Sequence, residues 1–152
     1  MRTVLCVLCA LVACSDVTNS PGTDPSTKLD ETVFRCNVQP ILARQCSYLA
    51  CHGQAGTALR VYTPGKLRAT PAQTLDDLIA PLTDDEQHGN FTSATGFAVT
   101  APDPDDNWLL KKPLPSTAGG FEHAGGAIYT GTSDAQYQAI RAWLAGSGAC
   151  AN

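Results

Sequence analysis

The chain is poor in several things that would each point to a function. Of its 152 residues only Met1 is a methionine. Lysine and arginine total 10 against 14 aspartates and glutamates, a net charge of −4. The basic residues form no cluster, and nucleic-acid binding needs a stripe of Lys and Arg to neutralise phosphates, so that class is excluded. No apolar run approaches the roughly 20 residues of a membrane-spanning helix. There are no internal repeats and no alternating apolar–polar stretch of useful length, which leaves a helical domain as the expectation. What the chain does have is seven cysteines.

Met1 and Arg2 form a short positive start, and Thr3 to Ala13 is almost wholly apolar. Too short to span a bilayer, that run reads as a secretory signal. Its end, Leu11-Val12-Ala13-Cys14, resembles the lipobox of bacterial lipoproteins. The resemblance implies cleavage after Ala13 and acylation of Cys14. The protein would then be exported to the periplasm or outer membrane and held to a membrane by lipid. A plain signal peptide cut nearby would instead leave Cys14 free. Ser15 to Leu29, rich in Ser, Thr, Pro and Asp, has too little apolar surface to order itself and reads as a tether. The expected organisation is a signal at 1–13, a tether at 14–31 and one domain at 32–152. Loss of Arg2 with the signal makes the mature chain one charge more acidic.

Within the domain, Val33, Phe34, Val38, Ile41 and Leu42 recur at helical spacing, interrupted by Pro40. This predicts a helix that begins or kinks at the proline and runs into Cys46. Thr63-Pro64-Gly65 is a turn. Thr70-Pro71 should open a short amphipathic helix through Leu75, Leu78 and Ile79. Thr83 and Glu86 have capping-box spacing, which starts a helix at Asp84, although Gly89 and Gly96 weaken it. "APDPDDNW" reads as a loop and "NWLLKKP" as a short helix stopped by Pro113. "STAGGFEHAGGAIYTGT" is too glycine-rich for regular structure. The last helix has Ser133 as N-cap, Gln136 three residues on, Tyr137, Ile140 and Leu144 on one face, and Gly146 as its stop.

The stretch that carries chemistry is "QCSYLACHG", residues 45–53. Two thiols on one short segment, with an imidazole directly after the second, are what covalent attachment of a c-type haem requires. The thiols add across the two vinyl groups, and the same turn presents His52 to the iron. The commonest form has two residues between the cysteines; here there are four, Ser47 to Ala50. They can bulge away from the ring, with Tyr48 and Leu49 covering its edge. The alternatives are a Cys46–Cys51 disulfide, a zinc site drawing on Cys36, Cys46, Cys51 and His52, and a reactive thiol. Zinc usually shows two close ligand pairs, and an oxidising compartment disfavours a thiol nucleophile. Cys6 and Cys9 leave with the signal. If Cys46 and Cys51 hold haem and Cys14 holds lipid, Cys36 and Cys150 remain as one disulfide pair.

"VQPILARQCSYLACHG" resembles the haem-attachment region of exported bacterial single-haem cytochrome c domains. "WLLKKPL" at 108–114, "HAGG" at 123–126 and "YQAIRAWLAGS" at 137–147 follow the order of further segments in such domains. The resemblance covers about Thr32 to Ser147. It implies a mostly α, cytochrome c-like bundle of about four to five short helices with long glycine-rich loops. It also implies one covalent haem c held by Cys46 and Cys51, with His52 as proximal iron ligand, and electron transfer to a redox partner protein. The four-residue loop departs from the family's pattern, and Cys36 and Cys150 are not general features of it.

For the sixth ligand, Met1 leaves with the signal, so a methionine is excluded. His123, between the glycine pairs 119–120 and 125–126, matches a His-x-Gly-Gly segment of the resembled domains and is the candidate distal ligand. His88 reads as a solvated residue. The rivals to an electron carrier are a haem-free, disulfide-stapled binding module and a haem enzyme or sensor of peroxidase type with an open sixth position. Trp143 and Tyr137 read as core against the first helix, and Trp108, Leu109 and Leu110 also as core. Lys111 and Lys112 read as solvated, with pairing to haem propionates as the alternative, and Asp84, Asp85 and Glu86 as first-turn charges favouring a helix start.

Overall fold

The computed structural model describes residues 29–98 and 103–150. The expected signal, Cys14 and the tether up to residue 28 lie outside the described residues. Within them the chain is mostly helical and forms five helices and no strand. None of the helices is long and apolar enough to cross a membrane.

Helix α1 comprises an α-helical turn, Glu31–Val33, a π-helical turn, Phe34–Val38, and an α-helical segment, Gln39–Gln45. Asp30 caps it, its carboxylate accepting the Val33 N–H at 3.0 Å. Pro40 has no N–H for the Cys36 carbonyl, and its ring crowds that group, so the backbone widens ahead of it. The Gln39 N–H bonds to the Phe34 carbonyl, five residues back. The helix thus starts well before the proline and runs to Cys46 as expected.

Helix α2, Leu75–Ile79, starts later than Thr70-Pro71 suggested, because Thr74 and Asp77 cap each other at its N-terminus. Leu75 and Ile79 are 70% and 55% exposed, so this helix buries no apolar face. Helix α3, Asp84–Ala98, runs through both glycines. The Thr83–Glu86 capping box forms, with bonds of 3.0 and 3.2 Å. A Cβ on Gly89 would sit 3.1 Å from the Tyr62 ring, so this glycine lets the preceding loop pack on the helix. Helix α4, Trp108–Lys111, is capped by Asn107. A 3-10 turn, Pro104–Asp106, precedes it where a loop was expected.

Helix α5, Ala135–Leu144, is capped by Asp134, one residue past the expected Ser133. Its end is the glycine stop read from the sequence. Gly146 has φ +67°, its N–H bonds to the Trp143 carbonyl, and the Ser147 N–H bonds to Ala142. Phe34 and Val38 of α1 pack with Tyr137, Ile140 and Trp143 of α5 in the core, and the Phe34 and Trp143 ring centres are 5.2 Å apart. The Trp143 indole donates to the Asp30 carbonyl at 3.1 Å. A disulfide joins Cys36 of α1 to Cys150 beyond α5, with Cα atoms 5.7 Å apart. Leu109 and Leu110 are buried as expected; Trp108 is not, being 47% exposed.

Two buried polar devices were not legible as such. Glu86 is both a first-turn charge and the centre of a knot. Its carboxylate takes two 2.8 Å bonds from Arg68, 2.9 Å from the Ala69 N–H and 3.0 Å from the Thr83 N–H. Arg68 in turn donates to the carbonyls of Asp77, Leu78, Ala80 and Pro81. Asn107 gives its amide to the Phe97 and Ala98 carbonyls while accepting from the Leu109 N–H, joining the end of α3 to the start of α4.

Candidate functional site

The Cys46–His52 segment is built on the end of α1. Cys46 caps the helix, its N–H bonding to the Leu42 carbonyl at 2.9 Å. The four-residue loop then turns back on itself. The Tyr48 carbonyl accepts the N–H of both Cys51, at 2.8 Å, and Gly53, at 3.0 Å, while the His52 N–H reaches the Cys46 carbonyl at 3.1 Å. A Cβ at Gly53 would lie 2.3 Å from the Ser47 carbonyl oxygen. Only glycine lets the loop close this tightly behind the histidine.

Cys46 is buried and Cys51 half-buried, and both are free thiols, while Cys36 and Cys150 are bonded to each other. Burial, with Cys51 alongside, pushes the Cys46 thiol up to about 11, so the protonated thiol is its form at neutral pH.

His52 and His123 come together. Their ring centres are 6.1 Å apart and their planes lie within 15° of parallel. His52 Nδ1 lies 2.8 Å from the Leu59 carbonyl, and His123 Nδ1 lies 3.2 Å from the Gly126 carbonyl. A carbonyl only accepts, so each Nδ1 carries a proton, and in the neutral ring the lone pair is then on Nε2. Both rings are therefore held in the tautomer that ligates through Nε2.

The glycine pairs shape this arrangement by approach to protein groups. Gly119 and Gly126 have φ of +90° and +72°. A Cβ on Gly120 would strike the Leu114 carbonyl at 1.9 Å, and one on Gly125 would meet the His123 ring at 2.9 Å. Gly125 thus leaves the space in which the His123 ring lies.

Two open cavities share Cys46, His52 and His123 in their walls, so they meet at the histidine pair. One, of ≈ 420 Å³, is lined mainly by apolar groups, among them Leu42, Leu59, Phe97, Leu109 and Tyr129. The other, of ≈ 710 Å³, is bounded by Cys51, Tyr48, Gly125 and Ile128 among others. Tyr48 borders the second cavity, whereas Leu49 borders neither and is 62% exposed. Trp108 lines the apolar cavity with Lys112 above its ring at 5.2 Å, and Lys111 pairs with Asp106 at 3.4 Å. These two lysines are therefore engaged, where the sequence suggested solvation.

His88 borders neither cavity and is bonded to Glu31 at 2.9 Å. Cys36 and Cys150 lie in the staple, outside the cavity walls.

The residues that aim His52 were missed from sequence. Asn90 of α3 pairs with the Tyr62 backbone, accepting its N–H at 2.7 Å and donating to its carbonyl at 2.9 Å. Ser93 accepts the Arg60 N–H at 2.7 Å. Together they fix residues 60–62, and with them the neighbouring Leu59 carbonyl that holds His52. The only trace in the sequence was two small polar residues one helical turn apart on α3.

Among the described residues no group of three or more His, Cys, Asp or Glu side chains is set to hold a metal ion. No family model, curated protein or solved structure matches the chain. The chemistry must be read from the site itself.

Proposed function

We propose that this chain is an exported, single-haem c-type electron carrier with a cytochrome c-like helical bundle, anchored by lipid at Cys14. Cys46 and Cys51 form the two thioethers, His52 is the proximal ligand and His123 the distal one. The observation that carries the reading is the pair of parallel imidazoles, 6.1 Å apart, each with its Nδ1 tied to a carbonyl. His52 and His123 would hold the iron through Nε2, the ring nitrogen that the carbonyl contacts leave available. The lack of a three-ligand cluster is compatible with this, because a haem supplies four nitrogens of its own and asks the protein for two at most.

When bound, the haem supplies a one-electron iron couple. The chain does the rest. Leu59 and Gly126 hold the two imidazoles in the ligating tautomer, Cys46 and Cys51 offer unpaired thiols, and Leu42, Leu59, Phe97 and Leu109 give the pocket an apolar wall. Two imidazole ligands would set a potential below that of a methionine–histidine pair, since the ligand pair is a main lever on it. A haem-free module with a Cys46–Cys51 disulfide gains no support, since both thiols are free. The partner that exchanges electrons is another redox protein.

The test is the absorption spectrum of protein made in a host that attaches c-type haem. A low-spin Soret band that survives acid–acetone extraction is expected. His123→Ala should turn the spectrum high-spin while leaving the haem covalently attached. A folded but colourless protein would sink the proposal, and an unchanged spectrum in His123→Ala would remove His123 as ligand.

A further inference from the structure

We propose that Lys66 is the clamp that shapes the four-residue loop between Cys46 and Cys51, keeping the two thiols apart and available. The inference deepens the haem reading and rests on it only in the second arm of its test. Four residues between two cysteines are enough chain for the thiols to wander or to close on each other. Two of the three bonds that curl this loop back end on the Tyr48 carbonyl, the third joining the His52 N–H to Cys46, so the loop's shape depends strongly on where Tyr48 sits.

One ammonium holds the first two residues of the insert. Lys66 Nζ donates to the Ser47 hydroxyl at 2.9 Å and sits 4.4 Å from the centre of the Tyr48 ring. Ser47 is fully buried, and its hydroxyl donates in turn to the Ala43 carbonyl of α1. Leu49 and Ala50, the other half of the insert, are exposed. Lys66 comes from a separate part of the chain, delivered by a type II turn. Pro64 and Gly65 are its centre, Gly65 has φ +76°, and the Lys66 N–H closes on the Thr63 carbonyl at 3.1 Å. Bonds from Gly65 to the Leu78 carbonyl, at 2.8 Å, and from Thr63 to the Leu67 carbonyl, at 3.0 Å, fix the turn. Of the lysines among the described residues, Lys111 and Lys112 serve other rings, Phe121 and Trp108, and only Lys66 reaches the loop.

Without the clamp the thiols can meet. In oxidised glutathione, two thiol protons are then lost, one Cys46–Cys51 bond forms, and the glutathione disulfide is reduced to two thiols. With the clamp, each thiol S–H instead adds across one vinyl C=C of the haem, with no net oxidation.

The first arm uses the haem-free chain and follows Cys46–Cys51 bond formation in oxidised glutathione by peptide mass. Lys66→Met should oxidise several-fold faster than wild type, Lys66→Arg should restore the wild-type rate, and Tyr48→Leu should fall between. The last variant decides the matter should Lys66→Met fail to fold. The second arm counts thioethers on protein made with haem attachment. Wild type should carry two, whereas Lys66→Met should accumulate chains with one. Equal oxidation rates in wild type, Lys66→Met and Tyr48→Leu would overturn the proposal. A wild-type chain that takes no haem would refute the haem reading, and the first arm would still decide on the clamp.

Discussion

Replacing Glu86 with Gln tests whether the knot between α2 and α3 stabilises the fold through charge. Glu86 and Arg68 side chains are only 2% and 8% exposed and 2.8 Å apart. Burial works to raise the Glu86 carboxyl, but hydrogen bonds from Arg68, Ala69 and Thr83 outweigh it and hold the group at about 2, against an ordinary 4.5. That gap corresponds to ~3 kcal/mol of folding free energy. It agrees with the roughly 3–5 kcal/mol lost when one partner of a buried ion pair is removed. The folded-state value is depressed, so the contribution is complete above the unfolded value of 4.5 and is lost as pH falls through about 2. Urea unfolding followed by circular dichroism should therefore show Glu86→Gln less stable by ~3 kcal/mol at pH 7, with the gap closing towards pH 2. Glu31 and Asp105, lowered by hydrogen bonds from His88 and Arg141, titrate in both proteins and cancel in the difference. A gap that stays constant from pH 7 to pH 2 would refute the reasoning.

The Cys36–Cys150 bond closes a loop with a sequence separation of 114. Chain entropy puts its contribution at ~5 kcal/mol, so a double serine variant should lose stability on that scale in denaturant, and a loss below ~1 kcal/mol would count against the staple. Gly125→Ala should push a Cβ into the His123 ring, 2.9 Å from its Cε1, and so increase the high-spin fraction of haem-loaded protein while leaving both thioethers intact. Cys14→Ala should move the exported protein from the membrane to the soluble fraction, and release of the wild type by salt alone would exclude a lipid anchor.

Much of the local structure was determined by the sequence alone, because it depends on neighbours within a few residues. The Thr83–Glu86 box, the Pro64-Gly65 turn and the Gly146 stop are each set by backbone geometry that only certain side chains allow or cap. The adjacency of Cys51 and His52 is likewise written in the chain. Errors at this level were small and had local causes: Asp134 outcompetes Ser133 as a cap, and a π-turn ahead of Pro40 lets the helix start well before the proline.

The tertiary structure decided which distant groups meet. His52 and His123 stand 71 positions apart in the sequence, and nothing periodic links them. They face each other because the strap after α4 returns across the end of α1. The same holds for Asn90, Ser93 and Lys66, whose side chains act on backbone or hydroxyls far along the chain. Glu86 shows the limit most plainly. Its capping role follows from a residue three positions away, whereas its burial against Arg68 depends on α2 folding over both. Long-range hydrogen bonds satisfy groups that packing has already removed from water, so they follow from the assembled core and leave no mark in local spacing.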